Sequence, residues 1–174
     1  TAIFYTSDNG FFHGEWRAFD KRFMHEPSIR VPLLIRYPPL IKPGTVANQM
    51  VLNIDIAPTV TDLAGVRVPD HMHGRSLVPL FSGDASADWR DAWLYEYYEF
   101  PGAHSVRKHR GVRTDRWKYI HYFEEPQEYE LYDLQADPGE TNNLYGKPEH
   151  QETVNMLRRR LEELRRETHD PDVN

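Results

Sequence analysis

The sequence predicts a layered α/β domain followed by a small antiparallel sheet that a C-terminal amphipathic helix closes. Two short, continuously apolar runs begin at Ala2 and Val31, as in strands of a parallel sheet that helices cover on both faces. Aromatic, alternating segments begin at Trp93 and are typical of an antiparallel sheet. From Val154 onward, apolar residues recur at helical spacing.

Length and composition fit a folded chain of one domain or slightly more. The chain has 174 residues, of which 39% are apolar, with 13 Pro and 10 Gly. Its net charge of −6, with acidic residues spread along the chain, argues against nucleic acid as a partner, because phosphates require a basic face. No apolar run approaches the ~18–20 residues of a membrane span. The absence of cysteine excludes disulfides and thiolate metal sites.

Residues 1–90 are assigned to the layered domain. A first strand over residues 2–5 runs into the turn Ser7-Asp8-Asn9-Gly10, and a second strand is expected over residues 31–37. Residues 19–28 between them are expected to hold a short helix. The order strand, loop, strand, helix belongs to a layered α/β domain.

A helix is expected after the second strand. Asp55 is a suitable N-cap and Gly65 a suitable C-terminal stop. Four apolar residues fall on one face of this helix: Ile56, Val60, Leu63 and Ala64. A loop is then expected from about residue 69 to residue 90.

Residues 91–174 are assigned to a second, smaller subdomain. Its antiparallel strands are expected at residues 93–100, 111–114, 117–123 and 130–134. Thr114-Asp115-Arg116 predicts a hairpin turn, and Asp137-Pro138-Gly139-Glu140 predicts a turn that closes the sheet. The terminal helix is expected at about residues 148–167, because Pro148 suits a first helical position and an apolar stripe follows. The stripe consists of Val154, Leu157, Leu161 and Leu164.

The first strand ends in residues that can bind a metal. In open α/β sheets, ligands bind beyond the carboxyl ends of strands, and Asp8 and Asn9 lie at such an end. A carboxylate and an amide carbonyl are hard oxygen ligands that suit Ca²⁺ or Mg²⁺. Asp, Asn and Gly also favour plain turns, and the triplet by itself is better explained as one.

A longer series of motifs resembles the sulfatases of the formylglycine type, within the alkaline phosphatase superfamily. The series consists of Thr6-Ser7-Asp8-Asn9-Gly10, Gly14-Glu15, Phe19-Asp20-Lys21, Glu26-Pro27-Ser28-Ile29-Arg30-Val31-Pro32-Leu33, Asp55-Ile56-Ala57-Pro58-Thr59, Leu63-Ala64-Gly65, Gly74-Arg75-Ser76-Leu77, Arg113-Thr114, Trp117-Lys118-Tyr119, Glu130-Leu131-Tyr132-Asp133-Leu134 and Asp137-Pro138. It covers nearly the whole chain. The resemblance implies the C-terminal part of a sulfatase, a sulfuric ester hydrolase.

The resemblance also implies roles for three residues. Asp8 and Asn9 match the last two of the family's four protein ligands to a Ca²⁺, sometimes Mg²⁺, that binds the sulfate oxygens. Lys21 matches the lysine that contacts the sulfate and the bridging ester oxygen. Its ammonium would stabilise the charge on the leaving alkoxide or help to protonate it. Without the resemblance, Lys21 would be interpreted as a surface lysine.

The family's nucleophile is a formylglycine, made from Cys or Ser in a Cys/Ser-x-Pro-x-Arg motif. This chain has no Cys, and none of its Ser residues begins such a motif. The sequence also begins directly on an apolar run. We therefore expect a fragment whose formylglycine and early acidic metal ligands lie in a missing N-terminal part, and we expect the fragment alone to be inactive.

The stretch His104-Ser105-Val106-Arg107-Lys108-His109 resembles a His-x-Val-x-x-His stretch in sulfatases that act on amino-sugar 6-sulfates of glycosaminoglycans or mucins. It implies that His104, Arg107 and His109 bind the substrate. The alternative is a polar surface loop, and the basic run from Arg107 to Arg110 fits a solvated loop equally well.

The remaining histidines and aromatic residues have structural interpretations. Many relatives have Gly-Glu-His-Gly where this chain has Gly14-Glu15-Trp16-Arg17, so His13 is expected to be a structural or surface residue. The pair His71 and His73 is expected in an exposed loop, because no further ligand lies at metal-site spacing. The Trp and Tyr residues of the strands are expected to pack the sheet.

The function predicted from the sequence is hydrolysis of sulfate esters, with a sulfated saccharide as substrate. One alternative is a phosphonate or phosphate monoester hydrolase of the same superfamily, because a metal, a lysine and a tetrahedral oxyanion serve both reactions. The other is a non-catalytic structural or binding module. The resemblance suggests a periplasmic or secreted location, and the sequence leaves the oligomeric state open.

Overall fold

The computed structural model describes residues 1–83 and 88–172, and its contacts divide the chain into two units. The first unit comprises Thr1–Asp8 and Val31–Arg90, and the second comprises Asn9–Arg30 and Asp91–Asn174. The segment Asn9–Arg30 therefore packs with the C-terminal residues, although it precedes the second strand in sequence. The division of the whole protein into domains at residue 90 stays a prediction.

The first unit contains a two-stranded sheet, formed by β1 (Ile3–Thr6) and β2 (Leu33–Arg36). The two strands pair antiparallel, with Ile3 opposite Arg36 and Thr6 opposite Leu33. The predicted parallel arrangement with both faces covered is wrong for this pair, and Tyr5 and Leu34 are 65% and 60% exposed. A continuous apolar run is typical of a strand that is buried on both faces, but it does not determine the direction in which two strands pair.

The helix α2 (Ile56–Leu63) follows a 3₁₀ turn at Asn53–Asp55. The predicted stop is confirmed, because Gly65 has a φ of +70° and its amide donates to the carbonyl of Asp62. The predicted apolar face is buried only in part: Leu63 packs against the core of this unit, but Val60 is 50% exposed. The residues of α2 that are fully buried are Pro58 and Thr59.

Asp55 occupies the predicted N-cap position of α2, but its side chain makes no capping hydrogen bond to this helix. Its buried carboxylate instead accepts hydrogen bonds from the amides of Leu52 and Arg75, at 2.7 and 2.8 Å, and pairs with the guanidinium of Arg90 at 2.5 and 2.7 Å. Asp55 therefore ties three segments of the first unit together. The loop predicted after residue 69 contains a 3₁₀ turn at Val78–Leu80, and residues 84–87 of this loop lie outside the described residues.

The second unit is built on a four-stranded antiparallel sheet in the order in which its strands follow one another. The strands are β3 (Ala92–Tyr97), β4 (His109–Thr114), β5 (Trp117–Tyr122) and β6 (Glu128–Asp133). The predicted strands are confirmed, although β4 and β6 each begin two residues earlier than expected. The hairpin at Thr114 is also confirmed, since its hydroxyl accepts from the amide of Trp117 at 2.9 Å.

One face of this sheet packs against the terminal helix α3 (Gln151–Glu167), which a 3₁₀ turn at Pro148–His150 precedes. The predicted apolar stripe is confirmed. The core on this face consists of Ala92, Val112, Tyr119, Leu131, Val154, Leu157, Leu161 and Leu164. In the described ranges, none of the helices combines the length and the apolar character needed to cross a bilayer.

The opposite face of the sheet packs against the segment Asn9–Arg30. Met24 of this segment is fully buried against Ile120, Tyr122 and Tyr132. A Cβ atom at Gly111 would lie 2.4 Å from the sulfur of Met24, so only glycine allows this approach. The short helix expected between residues 19 and 28 is the single turn α1 (Glu26–Ile29) of the same segment.

We predict that Leu157→Ala destabilises the chain by about 2–5 kcal/mol, because it leaves a cavity in the core between α3 and the sheet. Met156→Ala is the matched control on the same helix, since Met156 is 44% exposed, and we expect a change below about 0.5 kcal/mol. Urea unfolding followed by circular dichroism measures both values. Equal effects of the two substitutions would contradict the assignment of the buried face.

Candidate functional site

The turn after β1 carries the two predicted metal ligands. Asp8 is exposed, and its Oδ1 accepts a hydrogen bond from the hydroxyl of Ser7 at 3.3 Å. The side-chain nitrogen of Asn9 donates to the carbonyl of Gly10 at 2.7 Å. This bond uses the nitrogen end of the amide, while the other end bears the carbonyl oxygen that suits a hard cation.

Gly10 fixes the position of this turn against α1. Its amide donates to the carbonyl of Ser28 at 2.7 Å. A Cβ atom at Gly10 would lie 2.1 Å from the carbonyl oxygen of Pro27. Only glycine permits so close an approach of two backbones, which is a more specific reason for this residue than the flexibility of a turn.

Lys21 and His104, which lie far apart in sequence, meet at the carboxylate of Asp20. The amide of Lys21 donates to Oδ1 of Asp20 at 2.6 Å, and Nδ1 of His104 lies 3.4 Å from Oδ2. The guanidinium of Arg22 also donates to Oδ1, at 2.7 Å. Burial by itself would raise the pKa of Asp20, but the hydrogen bonds from the Lys21 amide and from Arg22 outweigh it and lower that pKa. An ionised Asp20 thus holds two of the predicted site residues.

Arg107 is occupied by the hairpin between β5 and β6. Its guanidinium donates to the carbonyls of Glu124, at 2.6 Å, and of Pro126, and it pairs with the carboxylate of Glu128 at 3.0 Å. These contacts give Arg107 a role in bracing the hairpin. Its predicted contact with a substrate stays a prediction.

His109 lies inside the protein, fully buried. Its ring packs against Tyr95, Tyr97 and Tyr122, and its Nδ1 lies 2.8 Å from the carbonyl of Arg107, to which it donates. Burial lowers the pKa of His109 to about 4, although the bond to that carbonyl opposes the shift. The imidazole is therefore neutral, and its position argues against the predicted contact with sugar hydroxyls.

The other histidines singled out in the sequence lie on the surface. His13, His71 and His73 are all exposed. Trp16 and Arg17, next to His13, have φ values of +51° and +62°. Arg17 occupies the position at which many formylglycine sulfatases have glycine, the residue that adopts a left-handed backbone most readily.

The described residues contain no group of three or more His, Cys, Asp or Glu side chains that could hold a metal ion. The donor set at Asp8 and Asn9, one carboxylate and one amide carbonyl, fits part of a Ca²⁺ or Mg²⁺ site. Two ligands are fewer than such an ion takes from a complete site. Asp8 and Asn9 can therefore contribute to a metal site but not form one alone.

Sequence analysis missed a buried ion cluster in the second unit. Nζ of Lys118, on β5, lies 3.0 Å from Oε1 of Glu26 and also contacts Oε1 of Glu140. Lys118 and the side chain of Glu140 are fully buried. The alternation of residues along β5 could have indicated that Lys118 is buried, because Lys118 lies on the same strand face as the buried residues Ile120 and Tyr122.

Comparison with known proteins gives a consistent result. The family described as N-sulphoglucosamine sulphohydrolase, C-terminal, matches residues 14–167. The chain is 48% identical over 174 residues to an N-acetylglucosamine-6-O-sulfatase of Bacteroides thetaiotaomicron, with 99% of this chain and 31% of the relative covered. The chain thus spans about a third of the length of this curated relative.

Two solved structures show the same fold. The structure of BT4656 in complex with its substrate D-glucosamine-2-N,6-O-disulfate matches with a TM-score of 0.94 and 47% identity, covering 99% of this chain and 35% of that one. A phosphonate monoester hydrolase from Silicibacter pomeroyi matches with a TM-score of 0.83 and 28% identity, covering 96% and 35%. The architecture of a layered part followed by a small sheet and a closing helix is thereby confirmed.

We predict that protonation of His109 destabilises the chain as the pH falls. The unfolded chain takes up this proton near pH 6.5, whereas the folded chain resists it until about pH 4. The unfolded state therefore binds more protons in this window, and stability falls from pH 6.5 to pH 4 by an amount on the order of 3 kcal/mol.

His109→Phe keeps an aromatic ring among the tyrosines but removes the titration, so its free energy of unfolding should depend less on pH in this window than that of the wild type. His71→Gln changes an exposed histidine and should keep the full dependence. Urea unfolding at several pH values measures the difference. An unchanged dependence in His109→Phe would show that folding does not lower the pKa of His109.

Proposed function

The chain belongs to the N-sulphoglucosamine sulphohydrolase C-terminal family, and from this premise we propose that it forms the C-terminal part of an enzyme that hydrolyses sulfate esters of a saccharide. The observation that carries the proposal is the identity of 48% with an N-acetylglucosamine-6-O-sulfatase, in an alignment that covers 99% of this chain. The activity belongs to the full-length protein.

In this proposal, Asp8 and Asn9 supply two of the ligands of a Ca²⁺ or Mg²⁺ ion. Such an ion, when bound, polarises the oxygens of a sulfate group. The exposed carboxylate of Asp8 and the amide carbonyl of Asn9 are hard oxygen donors, as this role requires. The formylglycine nucleophile cannot come from this chain, which has no Cys and no Ser-x-Pro-x-Arg motif. We therefore expect the chain alone not to turn over sulfate esters.

Lys21 is proposed to act on the leaving group. Its ammonium would stabilise negative charge on the bridging ester oxygen or donate a proton to the departing alkoxide. The hydrogen bond from its amide to Asp20 fixes the backbone from which this side chain extends. Asp20 thereby serves as a positioning residue for Lys21.

An amino-sugar 6-sulfate is the proposed substrate class. The B. thetaiotaomicron relative is an N-acetylglucosamine-6-O-sulfatase, and the structure of BT4656 holds a glucosamine disulfate. Of the three predicted sugar contacts, His104 is the best placed, because its side chain is 32% exposed and because Asp20 links it to Lys21. Arg107 is less available, and His109 is buried.

A second candidate is hydrolysis of phosphonate or phosphate monoesters, which the similarity to the phosphonate monoester hydrolase favours. A metal, a lysine and a tetrahedral oxyanion serve both reactions, so these residues do not separate them. We expect the full-length protein to hydrolyse N-acetylglucosamine 6-sulfate with a kcat/KM at least roughly tenfold above that for the corresponding 6-phosphate, a difference of about 1.4 kcal/mol in transition-state binding. A preference for the phosphate would reject the sulfatase proposal.

The proposed metal role of Asp8 has its own test. In the full-length protein, Asp8→Ala should weaken calcium affinity by more than about 100-fold, because even the groups that support a metal ligand contribute about 10–100-fold. Hydrolysis of the sulfate ester should fall with it. Isothermal titration with calcium and a steady-state assay measure the two effects.

Asp70→Ala is the matched control. Asp70 is an exposed carboxylate whose partner in the structure is Arg67, at 3.0 Å. We expect it to leave calcium affinity and activity unchanged. If Asp8→Ala behaves in the same way, the turn at Asp8 is a plain turn, and the view of this chain as a non-catalytic module gains support.

A further inference from the structure

The buried ion cluster around Lys118 connects the sheet of the second unit to the segment that carries Asn9 and Lys21. Lys118 is fully buried on β5 and contacts the carboxylates of both Glu26 and Glu140. The guanidinium of Arg113, on β4, lies 3.4 Å from the same oxygen of Glu26. Two cations thus face two carboxylates, so the cluster is electrically balanced.

Within this cluster, the carboxyl group of Glu26 stays ionised although it is largely buried. Burial would raise the pKa of Glu26, but the charge and hydrogen bond of Lys118, together with Arg113, outweigh it and lower that pKa. Buried ion pairs seldom stabilise a protein more than apolar side chains of the same volume would. Their more specific effect is to fix a geometry, because each partner must be in place for the others to be satisfied.

The cluster fixes the first turn of α1. Oε2 of Glu140 accepts a hydrogen bond from the amide of Glu26 at 2.7 Å, while its Oε1 contacts Lys118. The amide of Glu26 is one of the donors that a helix start leaves without a partner inside the helix, and Glu140 supplies that partner. The carboxylate of Glu26 binds Lys118 at the same time, so α1 is held at its backbone and at its side chain.

The position of α1 in turn determines the position of Asn9, the proposed metal ligand. The carbonyl of Ser28, in α1, accepts the amide hydrogen of Gly10 at 2.7 Å, and Pro27 lies against the Cα of Gly10. Asn9 directly precedes Gly10, and its side chain donates to the carbonyl of Gly10. A displacement of α1 would therefore displace the backbone of Gly10 and the amide of Asn9 with it.

We propose that the buried cluster of Lys118, Glu26 and Glu140 is a positioning device that sets the Asn9-Gly10 turn through α1. None of its members is a ligand or a catalytic residue. The expected effect on metal binding through Asn9 rests on the proposed function. The effect of the cluster on the position of the Asn9-Gly10 turn does not.

Lys118→Met in the full-length protein tests this inference. The substitution retains the unbranched, apolar stem and removes the charge. The carboxylates of Glu26 and Glu140 then repel one another, and α1 loses the contact between Glu26 and Lys118. We expect the Gly10 amide to exchange hydrogen roughly tenfold faster or more, measured by hydrogen exchange with mass spectrometry. Calcium affinity should fall by about 10–100-fold, the effect typical of groups that support a metal ligand.

Arg165→Met is the matched control. Arg165 is a buried cation of the same unit, and it also binds two carboxylates, those of Glu162 at 3.0 Å and Asp170 at 2.5 Å, at the end of α3. We expect this variant to lower the melting temperature as Lys118→Met does, but to leave Gly10 exchange and calcium affinity at their wild-type values. If Lys118→Met changes those two quantities no more than Arg165→Met does, the cluster is merely structural and the inference is wrong.

A second variant keeps the test decisive if Lys118→Met fails to fold. Glu140→Gly removes the acceptor for the Glu26 amide without backbone strain, since Glu140 has a φ of +53°, and it leaves the pair of Lys118 and Glu26 intact. Faster exchange at Gly10 supports the inference, and wild-type exchange overturns it. If the wild-type protein binds no calcium, the proposed metal site is wrong, and Gly10 exchange still decides whether the cluster sets the turn.

Discussion

The burial of the four-stranded sheet on both faces is the constraint on which the second unit depends. The helix α3 covers one face, with Leu157 and Leu161 in its core. The other face requires a cover from elsewhere in the chain, and Met24 of the segment Asn9–Arg30 provides it. Because this segment also carries Asn9 and Lys21, the packing that completes the core places the residues proposed for chemistry.

Two buried polar side chains on the same face of that sheet, the face that Met24 covers, serve different purposes. Lys118 points inward, and its two carboxylate partners come from the segments that precede and follow the sheet. His109 is equally buried, but it is neutral, and aromatic rings enclose it. A buried charge with partners in other segments can hold those segments in place, whereas a buried neutral ring among aromatic residues contributes chiefly to packing. Burial alone therefore does not show which polar residue supports a site.

The sequence predicted the second unit better than the first, because its residue pattern indicates both where the strands lie and how they pair. Alternation and turn residues define a meander almost completely, so the strands, the hairpin at Thr114 and the stripe on α3 were predicted correctly. The apolar runs of β1 and β2 indicated burial but not pairing direction, and they were assigned to the wrong arrangement. The position of Asp55 at the start of α2 was predicted, but the role of its side chain was not. Its partner Arg90, with which it forms a buried ion pair, lies 35 residues away, and no local pattern indicates it.

The same limit explains how much of the candidate site was predictable. Asp8, Asn9 and Lys21 were assigned to the candidate site through a motif series, which identifies residues but not the contacts that hold them. The roles of Asp20, Glu140 and Lys118 were missed because they consist in contacts between residues far apart in sequence.

His104, Arg107 and His109 lie within one short stretch but have different surroundings. His104 is about one-third exposed beside Asp20, Arg107 braces a hairpin, and His109 is buried. Strand β4 begins at His109, so its side chain is committed to the sheet, whereas His104 precedes the strand and keeps access to solvent. Residues that are close in sequence can therefore have different roles once one of them enters a strand. When a predicted site motif overlaps the start of a strand, the residues before and inside the strand must be considered separately.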